Sequence, residues 1–188
     1  MKRMLLALVA IALMLSSVVI AADAPAENAE KKVAVNKAAP EFKIKDSKGN
    51  EINLAELTAK GPVLVRLTCG CSGCDKELAY FQELHKAYEG KGLTSLAVFR
   101  EPDTKVAKYV EEKKLNMLYA VDSKGESWKV FDTKTMPTNI LIEKGGKVVS
   151  IAAGCDPSGL LANVLSDKVA KLVETDKVDV KEKVNAKK

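Results

Sequence analysis

Histidine is nearly absent from this chain, with His85 the single example. That excludes metal centres built from several imidazoles and weakens any mechanism that needs a histidine pair. A strong charge bias is also missing. Lys and Arg number 30 against 25 Asp and Glu, a net +5 that is scattered along the chain, so composition gives no support for nucleic-acid binding. No internal repeat is found. Hydrophobic residues at 47% and charged residues at 29% exclude a wholly disordered chain, a collagen-like fibre and a multi-span membrane protein. The 188 residues suffice for one domain of ordinary size. What is present is a set of four cysteines, three of them within the six residues 69–74.

The first residues read as an address. Lys2 and Arg3 precede an uncharged run from Leu5 to Ile20, and small residues follow at Ala21, Ala22 and Ala24. This is the pattern of a secretory signal peptide over residues 1–22, with cleavage after Ala21 or Ala22. The alternative is an uncleaved anchor, but Ser16 and Ser17 interrupt a run that needs roughly 18–20 apolar residues to span a bilayer. No cysteine stands near the cleavage region to take a lipid. The expected location is therefore periplasmic or otherwise extracytoplasmic, where paired thiols can stay oxidised. Loss of Lys2 and Arg3 takes the net charge from +5 to +3. Residues 23–38 read as a flexible leader and 175–188 as a solvated charged tail, bracketing a domain over 39–174.

Within that domain, strand and helix patterns alternate. Phe42–Asp46 and Glu51–Leu54 flank a Ser47–Asn50 turn, and Pro62–Leu67 is a buried central strand. Asp75–Tyr88 sets Leu78, Phe81, Leu84 and Tyr88 on one helical face, leaving His85 offset toward solvent. Thr94–Phe99 is a second buried strand, and 104–114 a helix with Val106, Tyr109 and Val110 inward. Met117–Val121 is a weaker strand before a helical stretch at 126–131, whose Trp128 packs on the sheet. Thr138–Ile142 and Lys147–Ala152 form a hairpin about Lys144-Gly145-Gly146. Asp156 and Pro157 then open a last helix as N-cap and first residue, with Leu160, Leu161, Val164, Val169 and Leu172 inward. The fold class is α/β, a sheet with helices on both faces.

Cys71-Ser72-Gly73-Cys74 is a C-x-x-C motif where the central strand meets a helix. Unpaired amides and the helix dipole there stabilise a Cys71 thiolate, and Cys74 lies one turn in as a resolving thiol. That is an arrangement for thiol–disulfide exchange. Zinc sites share the spacing, but structural zinc ordinarily takes two such pairs or histidine partners.

Ala39-Pro40-Glu41-Phe42, the Gly49 turn, the 62–67 strand, Cys71-x-x-Cys74 with Lys76 and Glu77, and Met136-Pro137-Thr138 together resemble the thioredoxin superfamily. The likeness is to the exported bacterial thiol–disulfide oxidoreductases of its redoxin and alkyl hydroperoxide reductase-like branch, and it covers roughly 38–173. The resemblance implies a thioredoxin-like fold with a central mixed sheet and a closing hairpin plus helix. It implies a cis Pro137 facing the active disulfide, a Glu77 that perturbs or relays protons to the sulfurs, and partner proteins in place of any cofactor. It places the loop of Cys155 beside that proline, which leaves two readings of the spare cysteines: Cys69 and Cys155 pack as small, partly buried residues, or Cys155 forms a second bridge to Cys69 or relays oxidation from Cys71 and Cys74. Three departures stand out. Gly70 replaces the usual aromatic residue before the first cysteine, Val65 replaces the buried strand acid of thioredoxins themselves, and Arg66 stands in that strand with no evident reason.

Two other functions fit parts of the chain. A peroxiredoxin-type peroxidase would match Thr68-x-x-Cys71, but Leu64 stands where that signature has proline, and only Arg66 and Arg100 in the folded region are available to the peroxide. A soft-metal module for copper or zinc would use Cys69, Cys71, Cys74 and Cys155. The leading expectation is exchange of disulfides with partner proteins, with no nucleic acid and with membrane contact only if the N-terminal segment is retained.

Overall fold

The computed structural model describes residues 33–187. Residues 1–22, read above as a signal peptide, and residues 23–32 of the expected leader lie outside them. Among the described residues no helix is long and apolar enough to cross a membrane.

A short hairpin of β1 (Lys43–Lys45) and β2 (Glu51–Asn53) leads into α1 (Leu54–Lys60). The Asn53 side chain accepts the Ala55 amide and caps that helix. Pattern reading extended the strand through Leu54 and missed α1, whose start depends on this cap. Next come β3 (Val63–Thr68), α2 (Ser72–Tyr88), β4 (Thr94–Phe99), α3 (Asp103–Lys113), β5 (Leu118–Val121) and α4 (Glu126–Val130). The chain closes with β6 (Thr138–Ile142), β7 (Val148–Ala153), α5 (Leu160–Leu172) and α6 (Val180–Asn185). The sheet order is β5-β4-β3-β6-β7, with β3, β4 and β5 parallel and β6 and β7 antiparallel to their neighbours. This is the mixed sheet with a closing hairpin and helix that the resemblance implies.

Every residue of β3 is buried, as a central strand covered on both faces requires. Alternation divides it. Val63, Val65 and Leu67 join Phe42, Leu54, Leu96, Trp128, Phe131 and Ile140 in one core. Leu64 faces the other, with Phe81, Leu84, Tyr88, Ala97, Phe99, Leu141, Leu165 and Val180. The expected inward face of α2 is buried throughout, and it is wider than expected, because Cys74, Glu77, Tyr80 and His85 are buried too.

Four expectations are corrected. Residues 33–38 are not a free leader: Val33 is buried, Asn36 donates to the Val148 carbonyl, and Val148 donates to that of Lys37, so the segment follows the edge at β7. Residues 175–187 are not a solvated tail, because Val180 and Val184, one turn apart, put a small apolar face into the α2 side of the core. The segment is pinned by Val178, which donates its amide to Tyr88 Oη at 2.8 Å and accepts Ser166 Oγ at 2.6 Å. The helix expected from Pro157, α5, starts at Leu160 and is followed by α6. Gly159, at φ +77°, is the N-cap of α5, and a Cβ there would meet the Tyr80 ring at 2.5 Å. Its phase also differs: Ala162, Leu165, Ser166, Val169 and Ala170 are buried, while Leu160 and Val164 are 56% and 54% exposed. Finally, His85 is buried at the C-terminal end of α2, with Nε2 3.1 Å from Glu89 Oε2.

Candidate active site

β3 ends at Thr68, and the chain turns through Cys69 and Gly70 before Cys71 becomes the N-cap of α2. Cys71 has extended backbone (φ −84°, ψ 160°), is exposed, and its carbonyl accepts the Asp75 amide at 3.0 Å. Its sulfur therefore sits at the positive end of a seventeen-residue helix. Cys69 is 9% exposed and Cys74 2% exposed.

The sulfur pairing differs from the expected one. Cys71 is bonded to Cys69, with Cα atoms 5.4 Å apart, inside the range a disulfide bridges. Cys74 is a free buried thiol, and its Sγ lies 3.2 Å from Cys69 Sγ. The turn at Gly70 folds Cys69 back over the helix start, so the C-x-C spacing competes with the C-x-x-C for the same sulfur. The three Sγ atoms lie within 4.8 Å of one another, the one such metal-spaced group among the described residues. Three thiolates suit a soft ion, but the Cys69–Cys71 bond withdraws two of them in this state.

Gly70 has a reason of its own. A Cβ at this position would meet Tyr109 Cδ2 at 3.3 Å, so the ring of α3 occupies space beside the disulfide where the family's aromatic residue would otherwise begin. Tyr109 Oη donates to Asp75 Oδ1 at 3.1 Å, and Lys113 Nζ to Asp75 Oδ2 at 2.8 Å, tying α3 to the first turn of α2. Burial, then the charge of Asp75, pushes the Tyr109 phenol above its ordinary range. The Gly70 amide donates to Glu101 Oε1 at 2.9 Å. Sequence reading passed over Glu101, which follows β4 as an ordinary loop acid; only the β3–β4 pairing brings it to the cysteine turn.

Arg66 now has an account. Its guanidinium is buried, donating to Glu77 Oε1 at 2.5 Å and Asn139 Oδ1 at 3.0 Å, and lies 3.9 Å from the Phe81 ring centroid. Glu77 is fully buried, and its Oε2 accepts the Asp156 amide at 2.8 Å. The buried carboxylate absent from β3, where Val65 stands, is thus supplied by α2.

The Met136–Pro137 bond is cis, as the resemblance implies. The Pro137 carbonyl accepts the Gly154 amide at 2.8 Å, and the neighbouring Cys155 Sγ donates to the Gly73 carbonyl at 2.8 Å. Pro137, Cys155 and the C-x-x-C turn are therefore stitched together. Cys155 itself is a free exposed thiol, unbridged to Cys69, whose sulfur is taken by Cys71. Its thiol is held above the ordinary value, first by desolvation and then by the charge of Glu77.

Known proteins resemble this chain in sequence and in fold. The thiol-disulfide oxidoreductase ResA of Bacillus thuringiensis subsp. konkukian is 34% identical over 126 residues, 66% of this chain and 73% of the relative. That of Geobacillus kaustophilus is 33% identical over 123 residues, 65% and 71% of the two chains. The thioredoxin domain of a thiol-disulfide oxidoreductase from Bacteroides vulgatus superposes with a TM-score of 0.63 at 26% identity, covering 73% of this chain and 99% of that one. A Chlorobium tepidum structure described as a thiol:disulfide interchange protein shares the fold, with a TM-score of 0.68 at 22% identity over 75% and 99% of the chains. The model of the AhpC/TSA family matches residues 35–151, and the chain belongs to that family.

Proposed function

We propose that this protein is a thiol–disulfide oxidoreductase that exchanges disulfides with partner proteins through Cys71. The observation that carries the assignment is one exposed sulfur at a helix N-terminus, bonded to the sheltered sulfur of Cys69 and with the buried Cys74 thiol beside them. Cys71 attacks, or is attacked, and Cys74 resolves the mixed disulfide. Pro137 borders the surface that receives the partner. Glu77, with both oxygens partnered, acts as a positioning residue that holds α2, β3 and the Cys155 loop in register. The basic and apolar N-terminal segment supports work outside the cytoplasm.

The peroxidase reading draws no support from the arginines. Arg66 is held by Glu77 and Asn139, and the Arg100 guanidinium lies 5.6 Å from the Trp128 ring centroid. The test is reduction of a protein disulfide such as that of insulin. Cys71→Ser is expected to abolish turnover with the fold intact by circular dichroism, and full retained activity would remove Cys71 as the nucleophile.

A further inference from the structure

We propose that Cys69, Cys71 and Cys74 form a single three-thiol exchange centre, in which Cys69 is a second resolving residue and the disulfide passes between the three sulfurs. The proposal rests on Cys71 being the thiol that meets the partner. Of the three, only Cys71 is exposed, so a partner's disulfide reaches that sulfur first. Behind it stand two candidates for resolution instead of one. Cys69 is bonded to Cys71 in this structure, and Cys74 lies 3.2 Å from Cys69. Cys155 is outside this group, with its sulfur turned to the Gly73 carbonyl.

The chemistry balances with thiols and disulfides alone. The Cys71 thiolate attacks the partner's disulfide, a Cys71–partner bond forms, and the far partner sulfur leaves as a thiolate. Cys69, deprotonated, then attacks the Cys71 sulfur. The Cys69–Cys71 bond forms and the second partner sulfur departs, so the partner gains two electrons and this protein loses two. The departing thiolates take up from water the protons that Cys71 and Cys69 released to it. In the transfer step Cys74, deprotonated, attacks Cys69. The Cys69–Cys74 bond forms, the Cys69–Cys71 bond breaks, and Cys71 leaves as a thiolate with no net change in electrons. The centre then holds its disulfide out of reach while its exposed nucleophile is free again.

Ellman's reagent tests this on the full chain, with Cys155→Ser in every variant so that its exposed thiol is not counted. Each reduced variant receives one equivalent of reagent, which places a thionitrobenzoate adduct on Cys71. With Cys74→Ser present, Cys69 is expected to expel the adduct, releasing twice as much thionitrobenzoate as the Cys69→Ser/Cys74→Ser variant and leaving no adduct by mass spectrometry. Cys74→Ala, which puts no polar atom in the buried position, repeats the measurement should the serine variant unfold. A persisting adduct on the Cys74 variants, alongside closure in Cys69→Ser, overturns the role of Cys69 and leaves the proposed function standing. A persisting adduct in Cys69→Ser instead refutes resolution by Cys74. For the transfer step, Cys71→Ser is equilibrated with oxidised glutathione. No free thiol and no bound glutathione by mass spectrometry are expected, because Cys69 and Cys74 pair, and two free thiols or two glutathione adducts would exclude the transfer.

Discussion

Arg66 and Glu77 meet where almost no solvent reaches, and that decides what each can be exchanged for. Removing one member of a buried pair strands the other charge in a medium that solvates it poorly, whereas replacing both with apolar side chains removes the demand altogether. Glu77→Ala is expected to lower unfolding free energy by about 3–5 kcal/mol, and Arg66→Met with Glu77→Leu by much less, as read from denaturant midpoints. Gly70 offers a second substitution. Restoring an aromatic residue with Gly70→Trp is expected to drop the melting temperature sharply, because the Tyr109 ring stands 3.3 Å from the first added atom. Adding Tyr109→Ala should recover much of that loss, and failure to do so would show that the ring is not the obstacle. Neither pair was legible from spacing: Arg66 read as an oddity and Glu77 as an acid acting on the sulfurs, because their partnership exists only once α2 lies on β3.

At the scale of elements, α6 carries the clearest expectation. Ending the chain after Thr175 removes the buried Val180 and Val184, each worth about 1.5–3 kcal/mol, and should lower stability by about 3–6 kcal/mol in a denaturant titration. His85 on α2 adds a pH dependence. Burial depresses its pKa below the ordinary value, against the opposing pull of Glu89. The unfolded chain thus binds the proton more readily, and stability should fall as pH drops below about 6.5, toward the lower folded value. His85→Gln should flatten that part of the profile, checked by midpoints measured across the range. The strands were the most readable elements: β3, β4 and β6 fall within a residue or so of their apolar runs, since burial on both faces leaves an uninterrupted signal, and β7, half-exposed at the sheet edge, was placed by the Gly145-Gly146 turn before it. The start and phase of α5 were not readable. Asp156 looks like a cap and does accept the Leu161 amide, but Gly159 and the Tyr80 ring, distant in sequence, set where the helix begins. For the site, the C-x-x-C junction and the cis proline were legible, the first from spacing and the second through the resemblance. The Cys69–Cys71 bond and Glu101 depend on how the turn folds back.

Over the whole molecule, the Arg66 cluster joins four separate segments, two of them consecutive and two more than sixty residues further on. Its donors and acceptors lie on β3, on β6 through Asn139, on α2 through Glu77, and on the loop before α5 through the Asp156 amide. Those same segments end in, or adjoin, Cys69, Pro137, Cys71 with Cys74, and Cys155. Hydrogen exchange should therefore find the Asp156 amide slow for a loop position, and Glu77→Ala should release it. Mechanically, the cluster is a clamp at the root of every part that the proposed function assigns to partner contact. Compliance toward partners of different shape then has to come from what stands beyond the clamp, the exposed Met136 side chain and the Cys71 turn, while the bases that carry them keep their spacing. Such a protein adjusts at its fingertips and not at its knuckles, and partners that demand movement of the loops themselves should exchange with it slowly.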